Sequence, residues 1–183
     1  SQSDIRSAAQ KFNELNLPLH VLLNNAGLIN KERKETVDGL EEVFAINHLA
    51  YFLLTMLLID RLKEASNSRI VNVSSGAHAF VKGFNFEDYQ AQNTYKPFQV
   101  YGYSKLANIL FTKKLSDILK EDNIFVNCLH AGVVGTSFGQ NNGNLQKILF
   151  FIAKPFMRSS EKGAETSIYL CSSPDVSNIS GQY

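Results

Sequence analysis

The stretch "QVYGYSKLAN" (residues 99–108) sets two tyrosines just ahead of one lysine. Residues four apart on a helix share a face, so Tyr101 and Lys105 meet, while Tyr103, two residues from the lysine, points elsewhere. A phenol titrates near about 10 and exchanges protons poorly at neutral pH. An adjacent ammonium favours the phenolate. Lowering the phenol by about 3 pKa units takes roughly 4 kcal/mol of differential stabilisation. Such a pair suits proton exchange with an oxygen. A hydroxyl source lies in "SRIVNVSSG" (68–76), where Ser74 and Ser75 end a β-branched run. In regular strand geometry only one of the two faces a given side. A hydroxyl donates to a carbonyl oxygen and accepts from a phenol, a double role closed to a carboxylate. Asn47 interrupts the apolar run "VFAINHLAYFLLTMLLI" (43–59), where a buried amide has to be satisfied.

These groups need elements to hold them. "DIRSAAQKFNELN" (4–16) has helical spacing, with Ile5, Ala8, Ala9, Phe12 and Leu15 on one side. "LHVLLNNAG" (19–27) predicts a buried strand and a turn, residues 36–65 a long helix, and 68–76 a second strand. A loop is expected to about Phe98, then a helix over 101–121 and a third strand over 123–132. Residues 145–157 and 159–173 read as helices, and "ISGQY" as the opening of a fourth strand. Near-continuously apolar strands alternating with helices call for a parallel sheet covered on both faces. Right-handed crossovers then bring the strand ends "NNAG", "VSSG" and "HAGVVGT" to one edge, where open α/β sheets bind ligands. The expected architecture is a single α/β domain over 1–183. It is a partial Rossmann-type, doubly wound parallel sheet of about three to four strands with flanking helices.

Composition narrows the function classes. The chain has 183 residues, 44% of them apolar, and 18 basic against 17 acidic residues leave a net charge of +1. That balance offers no footprint for nucleic acid. Cys128 and Cys171 lie in unrelated segments without metal spacing, so two small buried side chains in a reducing compartment are expected. The polar N-terminus has no leader pattern. The 43–59 run, broken by Asn47 and His48, reads as a buried core helix rather than a membrane span. His48, His78 and His130 read as structural. No GxSxG elbow surrounds the serines.

"LLNNAG", "AINHLAYFLLT", "RIVNVSSGAH", "YGYSKLAN" and "HAGVVGT" occur in the order and spacing of the short-chain dehydrogenase/reductases. The chain resembles that family along essentially its whole length. Its wording is most similar to the retinol dehydrogenase-like branch, which includes the WW-domain oxidoreductases. The resemblance implies hydride transfer between a nicotinamide cofactor, NADP or NAD, and a small lipophilic alcohol, aldehyde or ketone such as a retinoid. It assigns proton exchange to Tyr101 and the substrate oxygen to Ser75. Lys105 grips the nicotinamide ribose and, with the positive nicotinamide of an oxidised cofactor, lowers the Tyr101 phenol, and Asn47 holds a relay water. It places Asn24, Ala26 and Gly27 at the adenosine side of the dinucleotide, and Gly132, Val133 and Thr136 at the carboxamide. It also implies a homodimer, in the complete protein, through the two long helices.

Several features depart from the family pattern. The opening strand, the TGxxxGIG-type turn and the residue that separates NAD from NADP do not occur in the sequence, and Ala131 stands where proline is usual. The expectation is therefore the C-terminal part of the fold. A rival reading is a half-fold or interaction module that keeps the sheet and binds no dinucleotide; an epimerase or dehydratase using the same Tyr/Lys pair is a third. Between Phe138 and Met157, Leu145, Ile148, Leu149, Ile152 and Phe156 form a stripe flanked by Lys147, Lys154 and Arg158. It suits a lipophilic substrate, a peripheral membrane contact or plain core packing. The cytoplasm is the expected location, with membrane association the alternative.

Overall fold

The computed structural model describes residues 1–132 and 159–183. Three strands, β1 (Val21–Asn24), β2 (Arg69–Ser74) and β3 (Phe125–His130), form a parallel sheet in the order β1-β2-β3. Asn24 pairs with Asn72 and Ser74 with His130, so the three strand ends reach one edge, as expected. Four helices are described: α1 (Gln2–Glu14), α2 (Glu42–Glu64), α3 (Pro97–Ile118) and α4 (Ser160–Ser172).

Alternation along the strands divides the core. Leu22, Ile70 and Val126 pack with Leu58 and Leu62 of α2, Leu115 of α3 and Ala9 of α1. Val71, Val73 and Leu129 point the other way, toward Leu170 and Cys171 of α4. Each fully buried aliphatic side chain contributes about 1.5–3 kcal/mol. Polar groups fix how the layers lie. The buried Asn24 amide donates to Asn72 Oδ1 at 2.8 Å and to Thr55 Oγ1 at 3.1 Å, and Asn72 donates to Thr112 Oγ1 at 2.9 Å. This ladder ties β1 and β2 to both long helices, and a register slip would strand four buried polar groups.

Three boundaries differ from expectation, each for a local reason. Helix α2 starts at Glu42, not residue 36, because Asp38-Gly39 makes a turn with Gly39 at φ +73°. The buried Glu41 carboxylate then caps the helix, accepting from Val43 N at 2.9 Å and Phe44 N at 2.6 Å. Burial pushes that carboxyl up, against the two backbone donors. Helix α3 starts earlier, with Pro97 supplying its first turn. "ISGQY" is not a strand. Gly181 N donates to Val126 O at 2.7 Å and Cys128 N to Gln182 O at 2.8 Å, but Gly181 at φ +74° breaks the extended conformation. The helix expected over 145–157 lies outside the described residues.

Candidate active site

Tyr101 and Lys105 occupy one face of α3, one turn apart. The Lys105 Nζ lies 5.7 Å from the centroid of the Tyr101 ring and donates to the Val73 carbonyl at 3.0 Å. Strand β2 stops at Ser74, and the next residue, Ser75, caps a short 3₁₀ helix (Gly76–Phe80). The Ser75 hydroxyl accepts from Ala77 N at 3.2 Å and lies close enough to Tyr101 to favour its phenolate. Ser74 is buried and does a different job, donating to the Lys105 carbonyl at 2.7 Å and so tethering α3 to the strand end.

Asn47 sits in a π-helical turn of α2 (Ala45–Leu49), fully buried. Its amide nitrogen donates to Leu28 O at 2.9 Å and Ser104 Oγ at 3.0 Å, and its Oδ1 accepts from Leu28 N at 2.8 Å. Ser104 passes the connection on, donating to the Tyr101 carbonyl at 2.7 Å. The Asn47 carbonyl accepts from Asn108 Nδ2 at 2.8 Å, and Asn108 Oδ1 meets His48 Nδ1 at 2.9 Å. The Asn108 amide nitrogen is committed to a carbonyl, so its oxygen is the acceptor and His48 Nδ1 carries the hydrogen. His48 is thus a structural partner of Asn108, and burial holds its imidazole below the usual value.

The turn after β1 closes over this cluster. A Cβ on Gly27 would lie 3.2 Å from Asn47 Oδ1 and 3.3 Å from Lys105 Nζ, so only a glycine lets the turn come this close without displacing either group. The Ala26 carbonyl accepts from the Tyr51 hydroxyl at 2.7 Å. Asn24 ends the strand before this turn, and its side chain is spent inside the sheet and carries the sheet-stabilising role. Gly132 follows β3 at φ +77°, donating to His130 Nδ1 at 3.3 Å. Val133 and Thr136 lie outside the described residues.

Burial pushes the Tyr101 phenol up, and the neighbouring Ser75 hydroxyl only partly opposes this. Lys105, 2% exposed, is pulled down to about 8, again by burial. Cys128, buried behind the pair, is pushed up to about 11 and stays a thiol at neutral pH. Both cysteines are free.

Sequence reasoning missed Ser104, Asn108, Tyr51 and Gly102. Ser104 and Asn108 had a signal, polar residues at spacings of three and four within an apolar helix face. Gly102 had none. A Cβ there would meet the Ala77 carbonyl and Val81 Cγ1 at 2.9 Å, so α3 touches the segment after Ser75 backbone to backbone. Gly102→Ala is expected to destabilise the fold by about 1–2 kcal/mol, overpacking outweighing the gain in helix propensity. It is also expected to lower turnover through displacement of Tyr101 from Ser75. Thermal denaturation and kinetics of the variant check both.

Tyr103 accepts from Gln99 Nε2 at 2.9 Å and borders a cavity of about 380 Å³ lined by Phe44, Asn85, Glu87, Tyr89 and Lys96. That cavity includes none of Ser75, Tyr101 and Lys105.

The chain matches the short chain dehydrogenase family over residues 1–146. It is 40% identical over 179 residues to mouse (Mus musculus) retinol dehydrogenase 12, covering 98% of this chain and 56% of that protein. It is 41% identical to human (Homo sapiens) retinol dehydrogenase 14 over 100% of this chain and 55% of that protein. Human polyprenol dehydrogenase is 37% identical over 100% of this chain and 57% of its own length. The chain thus spans a little over half the length of these relatives. A short-chain dehydrogenase/reductase mutant of Serratia marcescens superposes with a TM-score of 0.70 at 21% identity, over 100% of this chain and 69% of that one. A metagenomic blue fluorescent protein in complex with NADPH superposes with a TM-score of 0.69 at 21% identity, over the same shares. With five motifs in order, a parallel sheet whose strand ends converge on Tyr101 and Lys105, and a family match covering most of its length, the chain belongs to the short-chain dehydrogenase/reductases, in their retinol dehydrogenase-like branch.

Proposed function

We propose that this chain carries the catalytic residues of a nicotinamide-dependent oxidoreductase that interconverts a lipophilic alcohol with its aldehyde or ketone. The observation that carries this reading is the buried Lys105 ammonium, 5.7 Å from the Tyr101 ring one helical turn away and held on the Val73 carbonyl just before the Ser74–Ser75 strand end. The names of the relatives, two retinol dehydrogenases and a polyprenol dehydrogenase, support the substrate class.

The residues present fit a dinucleotide. The Lys105 ammonium has three protons and, among the described residues, one hydrogen-bond acceptor, which leaves donors for a ribose diol. The space that a Cβ on Gly27 would fill lies beside that ammonium. Backbone groups of the Ala26–Gly27 turn are the contacts proposed for the adenosine side, and Gly132, Val133 and Thr136 for the carboxamide. NADP and NAD both suit this set.

When bound, the nicotinamide supplies the hydride acceptor or donor. Ser75 holds the substrate oxygen. In the oxidising direction Tyr101, as phenolate, takes the hydroxyl proton while the carbinol C–H bond gives up its hydride and the C=O bond forms. The reverse direction returns the proton from Tyr101 to the oxygen. Burial alone disfavours the phenolate, so its stabilisation has to come from Lys105 and from the positive charge of the oxidised cofactor. Asn47 holds the Leu28 segment and Ser104, and through them the base of Tyr101.

Exposed Phe52 and Met56 on α2 and Leu110 on α3 support pairing of two such chains along the long helices. Helix α2 is, among the described residues, the one helix long and apolar enough to cross a membrane; one side of it packs against α1 and the sheet, and only a third of its apolar stretch is buried, less than the buried core helix expected. The stripe proposed to meet substrate or membrane between Phe138 and Met157 falls outside the described residues.

Mixing the full chain with NADPH or NADH and a series of aldehydes and ketones, retinal among them, tests the activity. Loss of the near-ultraviolet absorbance of the reduced dinucleotide, matched by alcohol formation, is expected. No oxidation of either dinucleotide with any carbonyl in the series overturns the reading.

A further inference from the structure

We infer that Tyr51 is a positioning residue with two tasks: its ring holds the Lys105 ammonium, and its hydroxyl fixes the Ala26–Gly27 turn against which a dinucleotide lies. The inference rests on the dehydrogenase reading above and adds a residue to it. Tyr51 follows Asn47 by four residues along α2 and is 3% exposed. Its ring centroid is 5.7 Å from Lys105 Nζ, the same distance as that of Tyr101, so the ammonium has an aromatic neighbour from each long helix. A cation within about 6 Å of such a ring is attracted by its quadrupole, more strongly when little water competes. Lys105 needs that support, since Val73 is its one hydrogen-bond acceptor among the described residues.

The hydroxyl of Tyr51 has a separate role. It donates to the Ala26 carbonyl at 2.7 Å, in the turn that brings Gly27 close to Lys105 and Asn47. That bond also separates the two phenols by function. Tyr101 lies beside the Ser75 strand end, whereas the Tyr51 proton is committed to a backbone carbonyl. Burial pushes the Tyr51 phenol well up, so it stays a donor throughout the working range of pH. The titratable groups near the ammonium are thus Tyr101 from α3, Tyr51 from α2 and Cys128 from β3, the last two neutral when it is charged.

The two tasks separate by mutation in the full chain. Tyr51→Phe keeps the ring and leaves the Ala26 carbonyl without its donor. A lost hydrogen bond of this kind is worth about 1 kcal/mol, so the KM for dinucleotide, and its dissociation constant by fluorescence titration, are expected to rise about 5-fold with kcat little changed. Tyr51→Leu removes the ring as well, and kcat is expected to fall by a further factor of about 5–10 as Lys105 loses its support. Equal kcat in the Phe and Leu variants overturns the task of the ring, and an unchanged dinucleotide KM in Tyr51→Phe overturns that of the hydroxyl. If Tyr51→Leu does not fold, the KM-against-kcat split of Tyr51→Phe still decides the second task, and Tyr51→Trp, which keeps an aromatic face, decides the first by retaining kcat. Tyr101→Phe runs in parallel. Full turnover in that variant sinks the dehydrogenase reading itself, whereas its inactivity beside parent-like Tyr51 variants removes only Tyr51.

Discussion

Replacing Tyr101 by phenylalanine is expected to lower turnover by about 10²–10⁴-fold, the range lost when a positioned acid/base is removed, with dinucleotide affinity preserved. The substitution keeps the ring beside Lys105 and takes away the hydroxyl proposed to exchange the proton. Nothing else in the cluster can replace it. The Tyr51 hydroxyl is held by Ala26, and that of Tyr103 is bonded to Gln99 on another side of α3. Burial holds the Tyr101 phenol above its ordinary value, so the variant escapes the burden of a buried hydroxyl and is expected to fold as stably as the parent. Steady-state kinetics beside a fluorescence titration of NADPH make the comparison, with Tyr103→Phe as the variant that should lose nothing. Turnover retained in the Tyr101 variant would remove this residue from its role.

Lys105→Met is expected to cost about as much activity and yet to stabilise the protein. The lysine is buried and pulled down from 10.5 to about 8, chiefly by burial. Below pH 8 the folded chain therefore carries a charge that the unfolded chain carries more easily. A shift of that size amounts to about 3 kcal/mol of lost stability at neutral pH, an upper figure because denatured chains are not fully hydrated. Between pH 8 and 10.5 the unfolded state binds the extra proton, so the contribution of Lys105 to stability rises with pH there and its penalty fades. Methionine removes that penalty and keeps much of the volume. The variant is expected to melt higher than the parent at pH 7, the gap narrowing as pH rises from 8 toward 10.5. Taking the difference between the two proteins cancels Cys128 and the buried tyrosines, which titrate in the same range with the opposite sign. Calorimetry across that range is the measurement. A variant less stable than its parent at pH 7 would show that the aromatic neighbours and the Val73 carbonyl outweigh the loss of hydration.

Such a lysine is legible in the sequence by its spacing and illegible by its environment. Tyr101 and Lys105 are four positions apart, and helical geometry alone puts them on one face. The depth of Lys105 depends on Val73 and Cys128, on strands that the local pattern does not orient around it. Proximity along the helix is visible in the sequence, and desolvation is not. Ser75 shows the same division. Alternation along a strand admitted one of two serines, and the family pattern singled out Ser75. The structure gives both a task, because the chain leaves the strand after Ser74 and turns Ser75 toward Tyr101 through a 3₁₀ cap.

By itself the sequence determined the order of strands and helices, their parallel arrangement and the partnership of Tyr101 with Lys105. The elements and the Tyr/Lys pair follow from apolar runs, turn residues or spacings within one element, where neighbours along the chain are neighbours in space, and the parallel arrangement from the alternation of strands with helices. Only the tertiary structure decided that Asn47 ties Leu28 to Ser104, that Gly102 allows α3 to lie against the Ala77 carbonyl, and that Tyr51 reaches both Lys105 and Ala26. Those contacts join residues about 20 to 60 positions apart, and whether they form depends on how tightly the helices pack on the sheet. No local periodicity encodes that closeness; the absent side chain of a glycine and the last ångström of an amide's reach do.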